Sequence, residues 1–322
     1  TDPANRLEVA DRVLAVGERL SVQLLAAMLQ SKGGASRTID AADFLVTDSS
    51  FGEARVDFEQ TLQRCRRVFN GRNTATPVVT GFIGADQHGR TTTLGRGGSD
   101  FTAAVIGSVL DAERVEIWTD VDGVLTANPE LVPSVSSIPW LSYEEASEMS
   151  FFGAKVLHPK TVRPLAERGI PIHVRNTMAP ARKGTEIAGY SGTRSRVVAA
   201  SAFEYVTAFR ICNGSLAGVG EVLMSCCASA DGNTLVAVPE SRDEELISKF
   251  GDKNRFSASI VTLVGHGIAL QPWAAGRALE SLARRGIVVR SFAAGASPHT
   301  VALLVDRDDL ENAVRTIHDA LM

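Results

Sequence analysis

"TTTLGRGGSDFTAA" occupies Thr91–Ala104. Three threonines run into an arginine set among glycines, then a serine, an aspartate and an apolar helical pattern. Arg96 offers a planar fork that takes a carboxylate through two bonds. Gly95, Gly97 and Gly98 let a ligand approach the backbone and leave amides free to point at anionic oxygen. Asp100 stands at the helix start, where it can accept from an ammonium group. The stretch can therefore hold an amino acid by both ends. The same residues also read as a glycine-rich turn with a capping aspartate and a solvated arginine.

Working outward, "TPVVTGFIGAD" (Thr76–Asp86) reads as a β-branched strand entering a glycine turn. Ser99-Asp100 is expected to cap the helix "FTAAVIGSVLDA". "VEIWTDV" (Val115–Val121) is the next strand, and "SYEE" (Ser142–Glu145) is a capping box opening a helix. "HPKTVRPLAERG" is a helix ended by Gly169, followed by the strand "IPIHVRN". Upstream, Val9, Val13, Val16, Leu20, Leu24 and Met28 recur at helical spacing, so Arg6–Leu29 reads as one long helix. Strands alternating with helices predict an α/β fold, a mostly parallel sheet between helix layers. Ligands in such sheets bind beyond the carboxyl ends of the strands.

After "NTMAPARKGTEI" the character changes. Lys183-Gly184 and "GYSGTRSR" (Gly189–Arg196) read as a linker. From Ser257 the order is strand, helix, strand, strand, helix, one strand short of a ferredoxin-like unit. "RVVAASA" (Arg196–Ala202) is suited to supply the missing edge. The last helix shows a clean apolar face of Leu310, Ala313, Val314, Ile317 and Leu321. The intervening segment, with a helix-like "LAGVGEVLMS", resembles a second, incomplete copy.

The 322 residues predict two or three domains. A net charge of −4 gives no reason to expect nucleic acid or an anionic membrane as partner. No apolar run approaches the ~20 residues of a membrane span. Cys65, Cys212, Cys226 and Cys227 show neither metal-ligand spacing nor a disulfide framework. The Cys226-Cys227 pair reads as buried thiols or as a redox device, and cysteine usage points to a reducing cytoplasm.

Three further places carry candidate chemistry. Glu18 sits in the first helix among apolar neighbours, where a carboxylate needs a partner, or lies on the surface beside Arg19. Thr119-Asp120 follow a buried strand, where a nucleotide would sit, or form a turn with the aspartate on its own backbone. Lys155, in "GAKVLHP", can face phosphates or complement a helix C-terminus.

Together "GFIG", "GRTTTLGRGGSDFTAA", "VEIWTDVDGV", "YEEASEMSFFGAKVLHP" and "IPIHVRNT" resemble the aspartokinase family, in order and at fitting spacing. The resemblance implies an amino acid kinase catalytic domain over 1–188. It implies ferredoxin-like ACT regulatory domains over 196–322, a first copy at 203–257 and a second from 196–202 plus 258–322. The implied activity is ATP- and Mg²⁺-dependent phosphorylation of the β-carboxylate of L-aspartate, the first step toward lysine, threonine and methionine. Carried over by motif, Arg96 would bind the substrate α-carboxylate, and Glu18 and Asp100 its amine. Gly97, Gly98 and Ser99 would border the reacting groups. Thr119, Asp120, Leu125 and Glu130 would form the nucleotide site, and Lys155 would offset charge on ATP. Lys155 and Asp100 would be catalytic. Lysine or threonine would act as feedback effector at the ACT domains of a cytoplasmic homodimer or higher homo-oligomer.

The sequence departs from the family in three places. The family's opening strand, whose lysine and glycines handle phosphates, has no counterpart before Arg6; the expectation is that residues upstream of Thr1 supply it. Leu125, Asn128 and Glu130 stand where the family usually has tyrosine, aspartate and arginine. The first ACT copy is short. The rival readings are a kinase of glutamate or acetylglutamate, a non-catalytic regulatory subunit, and a piece of a larger fusion enzyme.

Overall fold

The computed structural model describes residues 3–69, 74–154, 157–189, 196–211, 222–227, 233–252 and 255–322. The chain opens with α1 (Pro3–Ser31), β1 (Ser36–Ile39), α2 (Phe58–Phe69) and β2 (Thr76–Val79). Next come the short strands β3 (Ile83–Ala85) and β4 (Thr91–Thr93), then α3 (Gly98–Val109) and β5 (Val115–Thr119). β6 (Trp140–Ser142), α4 (Tyr143–Phe151), α5 (Pro159–Ala166), β7 (Ile172–Asn176) and β8 (Thr185–Ala188) follow. The remainder comprises β9 (Ala199–Ile211), β10 (Met224–Cys227), β11 (Thr234–Pro239), α6 (Asp243–Phe250) and β12 (Arg255–Val264). It closes with α7 (Pro272–Arg284), β13 (Val289–Ala294), β14 (Thr300–Asp306) and α8 (Leu310–Leu321).

Contacts divide the chain into two compact units, Thr1–Ile117 with Leu157–His173, and Trp118–Val156 with Val174–Met322. In the first unit β1 and β2 pair in parallel, and β3 and β4 form an antiparallel pair. Its core gathers Phe44, Leu45, Ile83, Leu94 and Val105 around Ala15 of α1. Asp11, only 1% exposed, secures α1. Its carboxylate accepts from Gly52 N (2.9 Å), Thr93 N (2.9 Å) and the Thr93 hydroxyl (2.7 Å). A buried carboxylate is tolerable only with such a full set of donors.

The predicted long helix is present, but its apolar stripe faces outward. Val13 is 65% and Leu24 68% exposed, while Ala15, Val22 and Ala26 turn inward. Over Arg6–Ser31 the helix is also apolar and long enough to cross a membrane by length and composition. This differs from the sequence expectation of no membrane-length apolar segment, because here the apolar residues are spread around a helix rather than set in one run. Asp11, together with the 2.6 Å pair between Arg19 and Asp40, ties one face of this helix to its own unit.

The strands β5, β7, β8 and β6 lie in that order in one sheet, with β6 and β8 parallel. The long antiparallel sheet of the second unit runs β10-β11-β9-β12-β14-β13. Ala199–Phe203 of β9 pair with Val264–Ile260 of β12, so the stretch before the second repeat does supply an edge to it. Along β12 and β14 side chains alternate between two cores, as a pleated strand requires. Val261, Leu263, Leu303 and Val305 pack under α7 and α8, and Ile260 and Leu304 pack on the opposite face. Leu310, Ala313, Val314 and Ile317 of α8 are buried, each large aliphatic side chain contributing about 2 kcal/mol.

Three local expectations are corrected. Helix α3 takes Gly97 as its N-cap, with no side-chain cap bond, so Ser99 and Asp100 lie inside its first turn. Lys183-Gly184 leads into β8 and is part of a sheet connection rather than a linker. The end of "LAGVGEVLMS" is strand from Met224 onward, preceded by Val222 and a buried Leu223; residues 216–221 of that segment lie outside the described residues. The capping box at Ser142 and Glu145 forms with both reciprocal bonds.

Candidate functional site

Each unit carries a pocket. In the first unit a cavity of about 390 Å³ is lined by Glu18, Phe82 and the run Gly95–Asp100. Its floor is bare backbone for steric reasons. Gly97 has φ +70°, and a Cβ there would stand 2.7 Å from His158 Cβ. A Cβ on Gly98 would stand 2.8 Å from the Phe82 ring. Phe82 itself sits in the left-handed region at φ 68°. Its N–H donates to the Thr102 hydroxyl (3.0 Å) and its carbonyl accepts from Leu94 N (2.9 Å), which holds the strained residue in place.

Every residue predicted to bind substrate, namely Glu18, Arg96, Gly97, Gly98, Ser99 and Asp100, lines this one cavity. Arg19 turns away from Glu18 and pairs with Asp40 instead. Burial pushes the Asp100 carboxyl above the ordinary aspartate range. A cationic partner would reverse that, so the site is short of positive charge beside Asp100. Arg96 supplies the opposite chemistry a few residues away. His158 borders the same floor and was not singled out from the sequence. It N-caps α5, its Nδ1 accepting from Lys160 N at 3.2 Å. Burial lowers its pKa, and the nearby Lys160 and Arg96 charges lower it further, so it stays neutral. The visible signal was a histidine directly before a proline at a helix start.

In the second unit a cavity of about 710 Å³ is walled by three segments: Asp120 to Leu125, Val135 to Pro139, and Asn176 with Arg182 to Gly184. Asp122 accepts from Asn176 Nδ2 at 2.7 Å and pairs with the Arg182 guanidinium. Thr185 ties two walls together, its hydroxyl accepting from Val124 N (2.8 Å) and donating to Ile138 O (2.5 Å). Gly184, at φ +69°, lies so close to β7 that a Cβ would stand 2.0 Å from Val174 O.

Of the residues predicted to form a nucleotide site, Asp120 and Leu125 line this cavity. Thr119 sits next to it, its hydroxyl donating to Asp120 Oδ1 at 3.1 Å. Glu130 is not brought to the cavity; it is exposed, its N–H on Asn128 Oδ1 at 3.0 Å in a local turn. Lys155 lies outside the described residues. Asn176, Arg182 and Lys183 went unrecognised in the sequence. Asn176 could have been found, because it is a polar residue at the carboxyl end of a buried strand. Among the described residues no group of three or more His, Cys, Asp or Glu side chains could cage a metal ion.

Residues 1–176, more than half of the chain, match the model of the amino acid kinase family. The chain belongs to that family. Residues 261–321 match an ACT domain. The chain is 31% identical over 347 residues to the chloroplastic bifunctional aspartokinase/homoserine dehydrogenase of Daucus carota, covering 96% of this chain. It spans only 38% of that relative's length. It is similar to E. coli aspartokinase III in complex with aspartate and ADP, with a TM-score of 0.85 and 26% identity over 98% of this chain and 76% of that one. The lysine- and aspartate-bound form of the E. coli enzyme superposes with a TM-score of 0.77 at 26% identity. This member of the amino acid kinase family is thus a homologue of aspartokinases, with the family's region followed by an ACT domain.

Proposed function

We propose that this amino acid kinase transfers the γ-phosphoryl group of ATP to the β-carboxylate of L-aspartate, giving 4-phospho-L-aspartate and ADP. The observation that carries this reading is the first-unit cavity, where Arg96 stands with Glu18 and Asp100 over a glycine floor. Arg96 would hold the α-carboxylate bidentately. Glu18 and Asp100 would take the ammonium, which would draw the raised Asp100 pKa back down. With the α-carboxylate and the ammonium both held, the β-carboxylate is left to attack. It is already ionised at neutral pH, so no general base is required, and catalysis reduces to positioning and charge stabilisation. The neutral His158 fits that scheme as a support for the floor.

The second-unit cavity would take the nucleotide. Arg182 and Lys183 bring positive charge to its rim, in place of the arginine that Glu130 does not supply. Mg²⁺ fits as a companion of the phosphates rather than as a resident ion, since magnesium keeps its waters and uses few protein carboxylates; Asp120 is the carboxylate available beside them. Lys155 would offset phosphate charge, and Thr119 would help fix the nucleotide. Lysine or threonine would act at the ACT region of a homo-oligomer, supported by the ACT match and by the lysine-bound E. coli homologue.

The test is to incubate the protein with MgATP, L-aspartate and hydroxylamine and measure aspartyl hydroxamate, with and without lysine or threonine. Hydroxamate from aspartate, suppressed by one of the two, is expected. Phosphorylation of glutamate or acetylglutamate in preference to aspartate would overturn the substrate assignment.

A further inference from the structure

One wall of the second-unit cavity is a flap that the terminal helix holds from behind. Leu125 and Ser137 pair as an isolated antiparallel bridge. One step in, Thr126 N donates to Ser136 O (3.0 Å) and Ser136 N donates to the Thr126 hydroxyl (3.1 Å). Leu125, Val135 and Ser137 face the cavity. Their neighbours face the other way. Thr126 O accepts from Ala200 N of β9 at 2.8 Å, and Thr126 Oγ1 lies 2.9 Å from His318 Nε2 of α8. Arg315 Nε donates to Leu131 O at 2.6 Å. Ala127 and Val132 are buried in the same core as Val314 and Ile317.

A bridge and a few adjoining hydrogen bonds between two short segments make an isolated two-stranded ladder, which is marginal without packing behind it. The other inward residues of α8 are aliphatic and pack in the core beneath the sheet. His318 is the polar exception, 7% exposed, and its partner is on the flap. The Thr126 hydroxyl uses one lone pair on Ser136 N, which leaves its proton and second lone pair for the imidazole. The contact is therefore satisfied in either tautomer. Losing His318 would leave the buried Thr126 hydroxyl with Ser136 N alone, next to a residue that lines the cavity.

We infer that α8 belongs to the nucleotide site: His318 and Arg315 are positioning residues that set the Leu125–Ser137 wall and thereby nucleotide affinity. This rests on reading the second-unit cavity as the nucleotide site.

The experiment compares wild type with His318→Leu, His318→Gln, Thr126→Val, His318→Leu/Thr126→Val and Arg315→Met. ADP affinity is measured by calorimetry, KM for ATP and for aspartate by hydroxamate assay, and Tm alongside. His318→Leu is expected to weaken ADP binding and raise the ATP KM by about 5- to 10-fold, with the aspartate KM unchanged. His318→Gln, whose amide can reach the Nε2 position, should recover most of the loss. The double variant should be no worse than the worse single one. Arg315→Met should weaken ADP binding by about 2- to 5-fold. Should His318→Leu fail to fold, hydrogen exchange of the wild type decides: ADP must slow exchange in Leu310–Leu321 as well as in the flap. Folded variants that bind ADP like the wild type, the two KM values rising together, or α8 amides indifferent to ADP would each overturn the inference alone. A wild-type protein that binds no ADP would overturn the nucleotide reading and this inference with it.

Discussion

The two cavities are built in opposite ways. In the first unit, six of the eight lining residues are the unbroken run Gly95–Asp100. In the second, eleven lining residues come from three separated segments, 120–125, 135–139 and 176–184. A contiguous site concentrates its chemistry in few side chains and depends on the local backbone conformation. A dispersed site shares its chemistry among many side chains and depends on tertiary packing, here Thr185 between two walls and α8 behind the Leu125–Ser137 wall. Point substitutions should therefore act sharply at the first and by degrees at the second.

The largest effect is expected at Arg96. On the proposed function, Arg96→Ala would remove two charge-assisted hydrogen bonds to the substrate carboxylate, each worth ~1.5–3 kcal/mol, so kcat/KM for aspartate should fall by about 100-fold or more. The side chain is exposed, so Tm should hold. Near-normal turnover with aspartate would remove the contrast between the two sites. Next comes Gly184→Ala. Its φ of +69° and the 2.0 Å approach of a new Cβ to Val174 O force the backbone to move. ADP binding should be lost while calorimetric aspartate binding persists. Gly169→Ala is the control, because φ is +66° there but nothing lies within 4 Å. It should cost only about 1 kcal/mol of stability. Equal damage from both substitutions would mean that dihedral strain, and not packing against β7, governs the second site.

The same contrast explains what could be read in advance. The Thr91–Ala104 stretch, the Ser142/Glu145 capping box and the inward face of α8 depend on neighbours a few residues apart, and local spacing revealed them. The direction α1 faces did not follow from its periodicity, because Val9 through Met28 mark an apolar stripe whether or not anything packs on it. Asp11 and Ala15 settle the inward side, through partners some forty and eighty positions away for Asp11. Lys183-Gly184 looks like a linker because a turn at a pocket rim needs the same residue types as a turn in a tether. Ser99-Asp100 looks like a cap because the capping consensus favours these residues, yet the left-handed Gly97 starts the helix by backbone geometry alone. Asn176, Arg182 and Lys183 needed the fold to bring them beside Asp122.

Arg182 offers a smaller test of the dispersed site. Arg182→Ala removes the cation paired with Asp122 and leaves that carboxylate facing the cavity. ADP binding should weaken by about 5- to 10-fold, more at low salt than at high, with the aspartate KM unchanged. An unchanged ADP affinity would shift the phosphate-facing role to Lys183. An increase in aspartate KM instead would show that the two cavities do not divide the ligands as proposed.

The smallest effect sharpens the comparison from the side of stability. Burial raises the Asp100 pKa in the folded protein, so between the unfolded value and the higher folded value the native state holds more protons than the unfolded chain. Stability therefore falls as pH rises through that window, and the charged carboxylate is a cost at neutral pH. Asp100→Asn keeps the shape and removes the ionisation. It should leave the protein as stable as the wild type or more so at neutral pH, with the difference closing as pH falls below the ordinary aspartate range of ~3.8. The same variant should lose aspartate binding, because a neutral amide cannot repay an ammonium for leaving water. Urea titrations of both proteins across acid and neutral pH give the first quantity, and calorimetry with aspartate gives the second. A variant less stable than wild type at neutral pH would mean that the Asp100 carboxylate is held by donors in the folded protein. The site would then not be waiting for a cation, and the amine end of the substrate would fall to Glu18 alone.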